Sequence, residues 1–104
     1  MSLDIAVLND DDGIDRSVPI GVEEHQRLMN LCRESAGIEL LLRFGDYYEE
    51  GEIFSQELLR LGEELRDAET KAKGDSELTR IIRGLIGLVN LAREKKRSIV
   101  AIPD

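Results

Sequence analysis

The segment from Ser76 to Lys96 constrains the fold most. Leu78, Ile81, Ile82, Leu85, Ile86, Leu88, Val89 and Ala92 recur at helical spacing and cover a broad arc. A helix this apolar needs cover on more than one side, which a sheet and a second helix together supply. Candidate strands lie towards both ends of the chain. Leu3 to Leu8 (LDIAVL) and Arg16 to Ile20 (RSVPI) flank the turn Asn9-Asp10-Asp11-Asp12-Gly13, and Ser98 to Ile102 (SIVAI) runs up to Pro103. In the first, Leu3, Ile5 and Val7 share one side, and Asp4, Ala6 and Leu8 the other. Gly13 is expected to supply a positive φ in the turn. Pro19 has no N–H, so its strand belongs at an edge.

Two more helices fit between these strands. One starts at Gly21, with Val22, His25, Met29, Cys32 and Ala36 as its core stripe, Leu28 beside it, and Gly37 as a left-handed cap. The other starts at Ser55 and buries Leu58, Leu61, Leu65, Ala68 and Ala72, ending at Gly74. Its acids Glu57, Glu63, Glu64, Asp67 and Glu69 fall mostly outside that stripe. Asp75 or Ser76 caps the last helix. Ile38 to Tyr48 fits both periods, but three consecutive leucines favour a short helix, broken near Gly45 or ending before Gly51. The expected fold is therefore α+β, a single domain over residues 1–104. A small antiparallel sheet, the N-terminal hairpin plus the C-terminal strand, carries three to four helices.

Charge excludes some functions. With 22 acidic and 14 basic residues the formal net charge is −8, which disfavours nucleic acid and anionic lipid and favours basic partners. Cys32 is the only cysteine, so no intrachain disulfide forms, as suits a reducing compartment. Ile5 to Leu8 is too short for a signal sequence, and Arg83, Gly84, Gly87 and Asn90 interrupt the most apolar run. A cytoplasmic location without membrane contact is expected.

Few residues converge on chemistry. His25 and Cys32 lie seven residues apart on one helix. At 1.5 Å rise per residue that is about 10.5 Å, too far for a nucleophile–base pair or a shared metal ion. In the acidic turn, placing Gly13 at the sixth position of a calcium loop would make Leu8 and Pro19 its first and twelfth ligands, so that motif fails. No glycine-rich phosphate loop and no hydrolase or zinc signature occurs. The chain reads as non-enzymatic, with no cofactor and no metal.

The unusual residues gather between Leu40 and Phe54, LLLRFGDYYEEGEIF. Both tyrosines and both phenylalanines lie here, and no lysine or arginine follows Arg43 within it. A chain with 4% aromatics should bury most of them, so Phe44, Phe54 and one tyrosine are expected to anchor the segment. The other tyrosine would then join the acids outside. Asp46, Tyr47, Tyr48, Glu49, Glu50 and Glu52 are the candidate binding residues, where aromatic area and carboxylates would meet a basic protein partner. Two alternatives use the same chain differently. One is a small-ligand or carboxylate-dependent enzyme site around Asp46 and Tyr47; the other is a self-associating protein that buries the Gly84 and Gly87 margin.

A hairpin with Asp and Gly in its turn, a helix, then Leu41-Leu42-Arg43 followed by Asp46-Tyr47-Tyr48 resembles small uncharacterised bacterial proteins. Some of these look like immunity proteins, the cytosolic antidotes of polymorphic toxins. The resemblance spans most of the chain, and its only motif is LLR-x-x-DYY. It implies one-to-one binding of a toxin domain through an acidic face, with no catalytic role.

Overall fold

The computed structural model describes residues 2–103. Strands β1 (Leu3–Leu8) and β2 (Ile14–Ile20) form the N-terminal hairpin, and helix α1 (Val22–Arg33) follows. A 3-10 helix (Leu40–Phe44), the short strand β3 (Gly51–Ile53) and a second 3-10 turn (Ser55–Glu57) lead into α2 (Leu58–Lys71). Helix α3 (Ser76–Lys95) and strand β4 (Ile99–Pro103) complete the chain. The sheet is antiparallel throughout, in the order β2-β1-β4-β3.

In β1 the core side is the expected one, although Ala6 on the other side is also fully buried. Leu3, Ile5 and Val7 are buried, and Ile53, Ile99 and Ala101 join them on the same side. Helix α3 packs across β2 and β1 and lies against α2. Its two partners account for its broad apolar arc, in which Ile82 and Leu88 are fully enclosed. Asp75 caps it, accepting the Leu78 N–H at 3.1 Å. Lys96 closes it in the left-handed region at φ 56°, and the Arg97 N–H reaches back to the Ala92 carbonyl at 2.9 Å. Pro19 lies in β2, an edge strand, where its missing N–H costs no ladder bond.

Several details depart from the sequence-based expectation. The sheet has a strand more than the hairpin and the C-terminal strand supply: β3 pairs with β4, placing Glu52 opposite Val100. In the hairpin turn Asp12, not Gly13, takes the positive φ, at 60°. The Asn9 side chain organises that turn by accepting the Asp11 and Gly13 N–H groups, each at 2.9 Å. One of the turn's acids, Asp10, is engaged by Arg97, and Asp15 at the start of β2 pairs with Lys95.

Helix α1 stops at Arg33, and the Ser35 hydroxyl donates back to the Leu31 carbonyl at 2.7 Å. Ala36 therefore lies outside the helix and is exposed, as is Val22 in the first turn. Gly37 does adopt a left-handed conformation, at φ 90°. Ser55 opens a 3-10 turn and is not the cap of α2. The Gly84 margin is already occupied, since a Cβ there would lie 3.1 Å from Val18 Cγ2, whereas Gly87 faces open space.

Candidate functional site

The acidic aromatic segment is held at three points. The first is Glu64 on α2, which the sequence pattern left outside the core but which is 4% exposed. Its Oε1 accepts the Leu40 N–H at 2.9 Å and the Leu41 N–H at 3.3 Å. These are orphan donors at the start of the 3-10 helix, so the carboxylate caps it from across the core. Arg60 Nε lies 3.5 Å from its other oxygen.

The second point is His25. Its Nε2–H donates to the Phe44 carbonyl at 2.6 Å, which fixes the tautomer because a carbonyl only accepts. The third is Arg43, which forks onto Glu57 at 2.5 and 2.7 Å. Glu57 also accepts the Phe54 N–H at 3.1 Å. The Arg43 hydrogen bonds, and then the Phe54 N–H, hold the Glu57 carboxyl below its ordinary range.

Between these anchors the chain turns sharply. Asp46 Oδ1 accepts the Tyr48 N–H at 2.9 Å, an Asx turn that sends consecutive tyrosines in opposite directions. Tyr47 turns inward to 9% exposure, its ring edge-on to His25 with centroids 5.3 Å apart. Tyr48 is 68% exposed and stands edge-on to Tyr47, also at 5.3 Å. One tyrosine in and one out is the expected split, with Phe44 buried as anchor. Phe54 breaks the expectation: it is 47% exposed, because it leaves β3 on the side away from the core.

The six candidate residues thus fall into two groups. Asp46, Tyr47 and Tyr48 border an open hollow of about 590 Å³ against α1, whose lining includes Val22, His25 and Met29. Glu50 and Glu52 border another, of about 500 Å³, over β3 and β4. Glu49 is exposed between them. Among the described residues, no salt bridge involves Asp46, Glu49, Glu50 or Glu52.

The two residues most suited to nucleophilic or acid–base chemistry do not meet in a site. His25 is committed to Phe44, and Cys32 is buried at 1% exposure. Burial, and then the Glu64 carboxylate, push the Cys32 thiol up to about 12, far from the thiolate that reacts. A thiol-reactive chromogenic disulfide at pH 8 is expected to label Cys32 at least ~100-fold more slowly in the native protein than in denaturant. Comparable rates would place the thiol in solvent.

No helix among the described residues is long and apolar enough to cross a membrane. Compared with known protein families, curated proteins and solved structures, the chain matches none.

Proposed function

We propose that this is a non-enzymatic, acidic protein-binding domain, of the kind an immunity protein or antitoxin represents, which takes a basic partner through the Asp46–Glu52 segment. The observation that carries this reading is the set of exposed carboxylates with no cation of their own, beside an exposed tyrosine. Elsewhere among the described residues some acids are matched, as in Arg27 with Asp75 and Glu77, and Arg83 with Glu69, and others such as Glu23, Glu34 and Glu63 are not; what sets this segment apart is four unpaired carboxylates within seven residues. Like charges left side by side repel one another, and a basic partner relieves that repulsion while steering its own approach. The partner lies in the same compartment as this chain, which the reading takes to be the cytoplasm.

Affinity capture with the native protein and with Glu49→Lys/Glu50→Lys/Glu52→Lys tests the idea. The native form is expected to retain a basic protein that the triple variant binds at least ~10-fold more weakly, chiefly through slower association. Equal retention by both forms would sink it. One observation favours a second reading: the hollow beside α1 has the volume of a small-ligand pocket, with Asp46 and Tyr47 on its wall. A small molecule that saturates shifts of the Asp46 and Tyr48 amides would support that alternative.

A further inference from the structure

The side of the sheet away from the helices is unusually apolar for a solvent-facing surface. Such faces in antiparallel sheets ordinarily alternate to polar residues. Here Leu8, Val100 and Ile102 are only half-buried and point away from the buried Ile5, Ile99 and Ala101. The strand register extends the strip sideways. Leu8 lies opposite Ile14, Ala6 opposite Val100, and Val100 opposite Glu52. The alternation that carries Glu50 and Glu52 continues to Phe54, whose backbone is still extended at φ −78° and ψ 157°. Ile14 and Phe54, which are 51% and 47% exposed, mark the two ends of a strip across the sheet that is mostly apolar, with Ser17 opposite Ala6 and Asp4 opposite Ile102 as its polar members besides Glu52. A hollow of about 500 Å³ lies over its centre, with Glu50 and Glu52 on its rim.

We infer that this strip is the docking surface for a short extended segment of a basic partner protein. The segment sets apolar side chains onto Leu8, Val100, Ile102 and Phe54, and lysines or arginines against Glu50 and Glu52. Charge selects this occupant. A second copy of the chain would bring another net charge of −8 and a second unpaired Glu50–Glu52 pair to the same place. An anionic lipid surface meets the same repulsion. An uncharged apolar ligand would leave Glu50 and Glu52 without a paired cation, since Lys96 and Arg97, which share the adjoining hollow with Glu52, form a salt bridge with neither. A segment with apolar and basic residues satisfies both halves of the surface. The inference rests on the basic-partner reading above and adds the place of contact, which is the sheet face and not the Tyr48 hollow.

The test titrates the ¹⁵N-labelled full chain with the capped heptapeptide Lys-Val-Lys-Val-Lys-Val-Lys. Amide shifts are expected over residues 4–8, 50–54 and 98–102. Phe54→Ser should raise the dissociation constant several-fold and Val100→Lys at least tenfold, while Leu59→Ser, at an exposed position on α2, leaves it unchanged. Phe54 is exposed enough for its substitution to spare the fold, so the result stands even if Val100→Lys unfolds. Shifts centred on Val22 and Tyr48, equal binding of the peptide with glutamate in place of lysine, or self-association of the free chain would each overturn the inference. If Glu50→Lys/Glu52→Lys abolishes binding but Phe54→Ser and Val100→Lys do not, the basic-partner reading survives and the sheet-face contact fails. If none of these variants alters binding, both fail.

Discussion

Replacing Glu64 with alanine is expected to cost about 3 kcal/mol of stability. The substitution leaves the Leu40 and Leu41 N–H groups buried with no acceptor, at about 1–3 kcal/mol for such groups. Arg60 also loses its short contact with the buried carboxylate, although Glu39 still holds that guanidinium at 2.8 Å. For a domain of this size, 3 kcal/mol corresponds to a fall in Tm of about 12–24 °C. Glu64→Gln keeps an amide oxygen in place of Oε1 and should cost only about 1 kcal/mol. Thermal and urea denaturation followed by circular dichroism measure both. An alanine variant within about 0.5 kcal/mol of the native protein would show that water or another group takes over the cap.

Glu64 also shows where the sequence is silent. On α2 the apolar stripe runs Leu58, Leu61, Leu65, Ala68 and Ala72, and every member is buried. Glu64 lies directly before Leu65 and within reach of the same arc, but it stands among Glu63, Asp67 and Glu69, which face outward or partly outward. Nothing in a run of acids distinguishes the one that caps another element. The distinguishing partner is a pair of backbone N–H groups more than 20 residues away, and backbone groups have no sequence signature.

The same physics separates legible elements from hidden ones elsewhere. Strands β1 and β4 and helices α2 and α3 each bury a regular face, and burial is what periodicity records. Strand β3 buries only Ile53 from its Gly-Glu-Ile sequence, too few residues for a period of two to register. It exists because β4 offers an edge and the 3-10 helix packs against it. The candidate site was legible as a composition, tyrosines amid acids. Its division into a tyrosine side and a sheet side was not, because β3 and the Asx turn at Asp46 create that division.

Gly51 is the point where this arrangement is least forgiving. A Cβ there would lie 2.9 Å from the Arg43 carbonyl oxygen and 3.0 Å from Phe44 Cδ1. The carbonyl is backbone in a 3-10 helix that His25 and Glu64 hold on both sides, so it cannot retreat cheaply. Gly51→Ala is therefore expected to destabilise the protein by about 2 kcal/mol through overpacking, against a gain of at most about 1 kcal/mol from the stiffer unfolded chain. The strain has one easy outlet, since β3 is an edge strand whose ladder is only three residue pairs long. Lifting β3 off β4 relieves the clash and carries Glu50 and Glu52 away from Val100 and Ile102. Amide hydrogen exchange should then show lost protection at residues 51–53 with little change in α2 and α3. Heptapeptide affinity should fall in the same variant, although no side chain on the apolar strip has been altered. A variant that loses stability uniformly, with β3 protected as before, would place the strain in the helices and separate the glycine from the docking face.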